Sequence, residues 1–422
     1  MRIVIIGAGA AGISAAETIR KYSTDSEITV ISKEPFLPFS PVGLPEYIEG
    51  KISRQQLLLW DEKFIQEKRI NLILGKAAVK VYPKEQRIAM DNDSSLSYDR
   101  LLIASGASPI LPDDFGNRRG VFKLRSLEDA EAIRSQIKKR AIIYGAGAVA
   151  IKIAVALRRL GIDVILLCRS RPLRRLFDED ISRLISDLLS SNGVEIVQVS
   201  DYARLIGDPV ERLSIGIQEF KCDGVIAALG VTPNTSFLNG QMVRLGALGG
   251  IIVDEKMCTS AKNIYAAGDC AETKDITSGE SYVMALWPPA VEQGRVAALN
   301  MMGTEATYQG TLPGNVIDVF GMPLASIGSL NGKKINTGRK GKIIRFTYNN
   351  IGKVIGCQLV GDVNHLGLIS SYIKKGGDVD DLERLWLVST GRLLSTRLFR
   401  QECTTAHIQD EERISAPNEQ NL

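Results

Sequence analysis

One pattern occurs twice in this chain. "RIVIIGAGAAGISAAETI" begins at Arg2, and "RAIIYGAGAVAIKIAVAL" begins at Arg140. Each is an apolar run, then a glycine turn, then a helical stretch whose first face carries small residues. Each is followed by a second apolar run, "SEITVIS" and "GIDVILLCRS". The spacing predicts two βαβ units. In each, the first glycine (Gly7, Gly145) permits the tight turn. The second (Gly9, Gly147) lets backbone approach a pyrophosphate at the helix N-terminus. The third small residue (Gly12, Ala150) lets helix and strand pack closely. A chain of 422 residues has room for these units and a further domain.

Other segments repeat the theme of a glycine ending a buried strand. "YDRLLIASGASP" carries Ala104-Ser105-Gly106, "DGVIAALGVTPNTSFL" carries Gly230, and "KNIYAAGDCAE" ends in Gly268-Asp269. "WPPAVEQGRVAALNMMG" reads as a helix with Pro288 and Pro289 in its first turn. From about Tyr308 the style changes. "GNVIDVFGMPLASIGSL", "GKIIRFTYN" and "GKVIGCQLVG" read as strands, and "NHLGLISSYIKKG" as a helix. This predicts a separate α+β domain. The tail after about His407 is polar and is expected to fray.

Composition narrows the chemistry. A net charge of +4 with no basic, aromatic-laced stripe gives no case for nucleic acid. The six cysteines are Cys168, Cys222, Cys258, Cys270, Cys357 and Cys403, and none forms a C-x-x-C pair. No metal knuckle or cluster motif is therefore expected, and no metal. Scattered single thiols fit a reducing, cytoplasmic location. "MRIVIIG" is too short for a secretory apolar region, and no run is long enough for a membrane span. With only His365 and His407, histidine-centred hydrolysis is not expected.

Two glycine motifs and the strand-ending Gly-Asp together resemble the pyridine nucleotide–disulfide oxidoreductases, the two-dinucleotide-binding-domain flavoproteins. These include NADH oxidases, coenzyme A-disulfide reductases and ferredoxin or rubredoxin reductases. The resemblance runs from Met1 to about residue 385; the stretch "WLVSTGRLLSTRLFRQECTTAH" matches nothing in it. It implies an α/β fold: two Rossmann-like domains, one for FAD and one for NAD(P), plus a C-terminal α+β interface domain. The implied boundaries are 1–110 with 240–305 for FAD, 111–239 for NAD(P), and 306–422 for a dimerisation module. Gly7, Gly9 and Gly12, with Ala10 and Ala11 between them, would cradle the FAD pyrophosphate. Asp269, after Gly268, would bond the ribityl chain or bridge to the phosphate. Ala104, Ser105 and Gly106 would form the turn where the chain passes between domains. The helix starting near Pro288 would aim its positive N-terminus at the flavin and favour its anionic reduced form. Ser40, Pro41, Ala78 and Val79 complete the set expected to line the FAD site. The adenosine ribose usually meets an acid at the end of the second strand; here Glu34, beside Lys33, is the candidate.

The second unit is expected to take NAD(P)H at Gly145, Gly147, Ala148 and Val149, and the strand-ending Gly230 is a further cofactor-binding candidate. Its second strand ends "LLCRSRPLRR". Cys168 stands where an NADH-specific acid would stand, and Arg169, Arg171, Arg174 and Arg175 follow. A 2′-phosphate needs cationic forks, and an acid would repel it. Arg169 and Arg175 have the spacing of NADPH-dependent glutathione reductases, and Ala150 ends the glycine motif as in many NADP binders. NADPH is therefore favoured over NADH.

Three positions depart from the family. Relatives with a redox thiol read "SPCGLPYYI"; here the frame is "SPVGLPEYI", so Val42 removes that chemistry. Ala148 replaces an aromatic residue common in relatives. Lys152 stands where relatives carry a glutamate, and Glu46 falls where ferredoxin-reductase-like members carry its lysine partner. Glu46 and Lys152 are expected to form a charge-swapped pair near the flavin.

The first expectation is an enzyme: an FAD-dependent NAD(P)H oxidoreductase exchanging electrons with an iron–sulfur protein or partner subunit, in a homodimer or larger complex. The alternatives are a peroxide-forming NAD(P)H oxidase and a structural FAD-binding subunit with weak nicotinamide activity. "GRLLSTRLFRQ" is a candidate docking helix, with core packing as its plainer role. Cys403 is the one thiol through which a disulfide reductase reading could survive.

Overall fold

The two apolar runs become the central strands of two parallel sheets. The computed structural model describes residues 1–116, 118–199, 203–238, 242–337 and 341–382. In the first sheet, β1 (Arg2–Ile6) lies between β2 (Glu27–Ser32) and β4 (Arg100–Ile103), with β3 (Ile70–Leu74) and β10 (Ile264–Ala266) at the edges. In the second, β6 (Arg140–Tyr144) lies between β7 (Asp163–Cys168) and β9 (Gly224–Ala227), with β8 (Val194–Gln198) and β5 (Val121–Phe122) outside. The orders β3-β2-β1-β4-β10 and β8-β7-β6-β9-β5 match over four strands, the fifth coming last in the chain in the first sheet and first in the second, and every pairing is parallel. Both faces of such sheets are covered, so their strands read as continuous apolar runs. Ile3, Ile5, Leu101, Leu102 and Ile103 are fully buried, as are Ile142 and Ile143.

Each sheet reverses its winding direction at the central strand. That switch point opens a crevice at the strand C-termini, where α1 (Ala10–Tyr22) and α4 (Ala148–Arg159) begin. Two further helices lie near it: α2 (Leu44–Glu49), after the proline loop, and α3 (Leu127–Gln136), whose Ser126 and Asp129 form a capping box. α6 (Trp287–Met301) packs on α1 at backbone distance. A side chain on Gly294 would lie 2.1 Å from the carbonyl oxygen of Ala11, so only glycine allows that approach.

A third, five-stranded sheet is antiparallel throughout, in the order β11-β12-β15-β14-β13. Its strands are β11 (Gly314–Val319), β12 (Met322–Gly328), β13 (Lys333–Thr337), β14 (Ile343–Tyr348) and β15 (Val354–Val360). Alternation along the strands gives it two unlike faces. Ala325, Phe346, Cys357 and Leu359 pack under α7 (Leu366–Lys374) with Ile369 and Ile373. Ser326, Gln358, Arg345 and Asn336 lie in register across the strands. Ile317, Val319, Leu324 and Val360 join the same apolar cluster as Ile151 and Ile153 of α4, which fixes this sheet against the second unit. The candidate docking segment and Cys403 lie outside the described residues.

Candidate functional site

The two glycine turns are built by the same hydrogen bonds. Gly7 N–H donates to the Ile31 carbonyl at 2.8 Å, and Ala104 N–H to the Ile6 carbonyl at 2.8 Å. In the second unit Gly145 N–H donates to Leu167 at 3.0 Å, and Ala228 N–H to Tyr144 at 2.8 Å. Gly7 has φ +107°, and a Cβ on it would stand 2.0 Å from the Ala104 oxygen. Gly145 has φ +120°, with the Ala228 oxygen 2.3 Å from such a Cβ. Gly12 packs beneath the turn, its Cβ position 1.9 Å from the Gly7 oxygen; Ala150 fills the same place in the second unit and is fully buried. Gly9 and Gly147 differ. Each is an N-cap that offers no side-chain bond to its helix, and a Cβ on either meets nothing within 4 Å. Both helix N-termini therefore point free N–H groups into open space, the arrangement that draws an anion.

A long groove runs past the first of these termini. At one end it is lined by Lys33, Glu34, Lys76 and Ala78. Its middle is Gly7, Gly9, Pro41, Ala104, Ser105 and Gly106. At the other end stand Ala10, Ala11, Val42, Gly268, Asp269 and Trp287. Residues scattered over more than 250 positions of sequence are thus brought to one surface. Ser40 is the N-cap of the short turn Pro41–Gly43 and does not line the groove. Val79 is half-exposed and lies outside its lining. Pro288 and Pro289 sit in the first turn of α6, where Trp287 rather than either proline reaches the groove.

Several lining residues escape a reading of the sequence. Phe36, Leu37, Pro38 and Phe39 form an apolar wall. Asn234 donates to the Ser105 carbonyl at 2.9 Å and receives the Ser108 hydroxyl at 2.7 Å, which braces the Ala104–Gly106 turn. Arg125 lies 3.0 Å from Asp269 Oδ2. Burial pushes the Asp269 carboxyl above its usual range, and the Arg125 charge pulls partly against it. Burial also raises Glu34, and the nearby Glu128 carboxylate adds to the shift. An uncapped helix N-terminus, space left by a missing side chain, an apolar wall and a carboxylate at the far end together fit an extended dinucleotide with its pyrophosphate at Gly9.

Val42 lines the groove and is half-exposed. Among the described residues no cysteine lines it. Cys270 adjoins Asp269 in sequence but is fully buried, its Sγ 3.4 Å from the carbonyls of Ile103 and Ala267. Burial holds that thiol protonated.

Lys152 Nζ stands 3.7 Å from Glu46 Oε1, linking α4 to α2. Neither lines the groove. They face a separate charged cleft with Glu49, Lys51, Arg159 and Asp318, where Arg159 bridges Glu49 at 3.3 Å and Asp318 at 3.2 Å. Glu46 Oε2 is buried without a hydrogen-bond partner.

In the second unit Val149 is half-exposed at the start of α4, beside Ala148. Gly230, at φ +114°, turns the chain after β9. Cys168 is buried at the end of β7, while Arg169, Arg174 and Arg175 are exposed and Arg171 is half-buried. Leu173, at φ +54°, folds the arginine loop back, its N–H donating to the Ala146 carbonyl at 2.8 Å. The cations therefore share a loop tied directly to the Gly145–Gly147 turn.

The pyridine nucleotide-disulphide oxidoreductase family matches residues 1–294. An NADH oxidase of Methanocaldococcus jannaschii is 33% identical over 393 residues, covering 86% of this chain and 88% of that one. An NADH-rubredoxin oxidoreductase of Clostridium acetobutylicum is 30% identical over 402 residues, 91% of this chain and 97% of that one. The epsilon subunit of an NADH-dependent phenylglyoxylate dehydrogenase of Aromatoleum evansii is 28% identical over 422 residues, 94% and 98% of the two chains. Among solved structures, a NAD-dependent persulfide reductase of A. fulgidus superposes with TM-score 0.86 at 27% identity, covering 91% of this chain and 79% of that one. An engineered water-forming NADPH oxidase shares the fold, with TM-score 0.84 at 24% identity over 91% and 93%. The duplicated switch-point sheets, the open helix termini and these matches place the chain in the pyridine nucleotide-disulphide oxidoreductase family, as a flavoprotein oxidoreductase.

Proposed function

We propose that this protein moves electrons between NAD(P)H, with NADPH preferred, and an iron–sulfur protein or partner subunit through bound FAD, using no protein thiol. The observation that carries the reading is Val42: the loop position of the relatives' redox cysteine faces the groove and holds a side chain without redox chemistry. FAD, when bound, accepts hydride from the nicotinamide and can release electrons singly. The chain's own residues do the rest. Gly9 and the free N–H groups of α1 hold the pyrophosphate. Lys33 and Glu34 meet the adenosine end. Asp269, steadied by Arg125, and the N-terminus of α6 at Trp287 bound the opposite end. Ala148 and Val149 open α4, and neither is aromatic. One relative is named for rubredoxin and another as a subunit of an NADH-dependent dehydrogenase, which supports an electron-carrier or subunit partner.

The second turn supports NADPH. The engineered NADPH oxidase differs by five substitutions from a water-forming NADH oxidase of Lactobacillus brevis. A glycine becomes alanine; 18 residues on, successive aspartate, alanine and methionine become alanine, arginine and serine; five residues later a proline becomes arginine. At the same spacing this chain has Ala150, Cys168, Arg169, Ser170 and Arg175, with four of the five residue types identical and no acid. An arginine pair without a neighbouring carboxylate is what a 2′-phosphate requires.

Anaerobic mixing of the FAD-loaded protein with each nucleotide tests both parts. Flavin bleaching should run at least about tenfold more efficiently with NADPH than with NADH, a gap of about 1.4 kcal/mol. Added rubredoxin or a [2Fe–2S] ferredoxin should then reoxidise the flavin within seconds. Faster bleaching by NADH would reverse the nucleotide assignment. Rapid peroxide release in air, with no response to either carrier, would favour the oxidase reading instead.

A further inference from the structure

The arginine loop is held at its middle and at its far end, and the far end is held by a different part of the molecule. Leu173 ties its middle to the glycine turn, and Leu173 and Phe177 are both buried. At the end stands Asp178, the N-cap of α5 (Glu179–Ser191), whose carboxylate makes no bond to its own helix. An N-cap aspartate ordinarily accepts from the first-turn N–H groups. Here the side chain is turned away to the third sheet. Its Oδ1 accepts from Lys334 Nζ at 2.5 Å. Its Oδ2 accepts from Arg345 Nη1 at 3.0 Å and from Gln358 Nε2 at 2.8 Å. The same Gln358 amide takes the backbone N–H of Asp178 on its oxygen, at 2.8 Å.

Arg345 extends the network. It grips Asp180 with two bonds of 2.7 and 2.6 Å and donates Nε to Asn336 at 2.6 Å. Gln358 is fully buried and Arg345 is 9% exposed. Their partners Asp178 and Asp180 sit on the second unit, so both side chains are satisfied only while the third sheet and the loop keep this placement. Between Leu173 and Asp178 lie just four residues, Arg174, Arg175, Leu176 and Phe177. Fixing both ends of so short a segment fixes where its two cations start.

We propose that Asp178, Arg345 and Gln358 form a clamp through which the C-terminal sheet sets the shape of the arginine loop, making Arg345 and Gln358 positioning residues for recognition of a nucleotide 2′-phosphate. The proposal rests on the NADPH reading above but concerns residues remote from the glycine turn. It is tested on the full-length, FAD-loaded protein with adenosine 2′,5′-bisphosphate as probe, adenosine 5′-monophosphate as control, and tryptic cleavage after Arg174 and Arg175. Arg345→Met should weaken the bisphosphate at least about tenfold while changing the monophosphate less than about twofold, and should speed cleavage in the loop. Arg345→Lys, which keeps the charge, should recover most of the affinity. Asp178→Asn supplies the same comparison if Arg345→Met does not fold. Unchanged bisphosphate affinity and unchanged cleavage in a folded variant would overturn the clamp. A wild-type protein that binds both probes equally would instead refute the NADPH reading; the clamp then stands or falls on the cleavage rates alone.

Discussion

Glycines that look alike in the motif do different work. Gly7 is required by the fold, because its positive φ and the Ala104 carbonyl 2.0 Å from any Cβ leave no room for a side chain. Gly9 has an ordinary φ of −83° and faces open space. Gly7→Ala is therefore expected to lower the urea midpoint of the apoprotein by the equivalent of about 2 kcal/mol or more. Gly9→Val should leave the apoprotein midpoint within about 0.5 kcal/mol of wild type and weaken FAD at least about tenfold in a fluorescence titration. Equal losses of stability in both would remove the distinction. The motif showed where both glycines stand in the turn. It also assigned Gly7 to the turn and Gly9 to the pyrophosphate; the crowding around Gly7 and the open space beside Gly9 are tertiary facts.

Helix α2 shows how far pattern carries at the scale of an element. The aligned frame "SPVGLPE" led to Glu46 and Lys152 as partners, and they do approach to 3.7 Å. Their cleft, however, is not the groove. A pair this open, with side chains 39% and 25% exposed, contributes less than about 1 kcal/mol. A double-mutant cycle on urea stability with Glu46→Gln and Lys152→Met should give a coupling below that figure. Neither variant should shift the flavin absorption band; a clear shift would return the pair to the flavin. The parallel strands were legible because burial on both faces leaves unbroken apolar runs, and α6 because Pro288 and Pro289 mark a first turn. Arg125 was not legible. Its partner Asp269 lies 144 residues away, and nothing local distinguishes it from any arginine before a capped helix.

For the whole molecule, the clamp couples folding to pH. The Asp178 carboxyl is pushed up by burial, but its bonds from Lys334, Gln358 and Arg345 outweigh this and hold it below the usual range. Asp180 is held low chiefly by Arg345. Lys334 bonds Asp178 alone, whereas Arg345 bonds both carboxylates. A carboxyl whose folded pKa is depressed adds stability that is full above its unfolded value, near 4, and is lost as pH falls through the folded value. The gap in urea midpoint between wild type and Asp178→Asn/Asp180→Asn should therefore be largest near neutrality and shrink as the pH drops below about 4. A gap independent of pH would show that packing, not charge, holds the sheet. Among the described residues no helix is long and apolar enough to cross a membrane. The sequence by itself determined the two nucleotide-type units, the absence of a thiol at position 42 and the run of cations after Cys168. These are local properties: spacing, side-chain chemistry and periodicity within some twenty residues. The tertiary structure alone decided that Trp287 and Arg125 reach the groove, that Glu46 and Lys152 line a separate cleft, and that a third sheet bonds Asp178 at the end of the arginine loop. Each of these depends on side chains from distant segments meeting in one place, and such meetings are set by how whole elements pack.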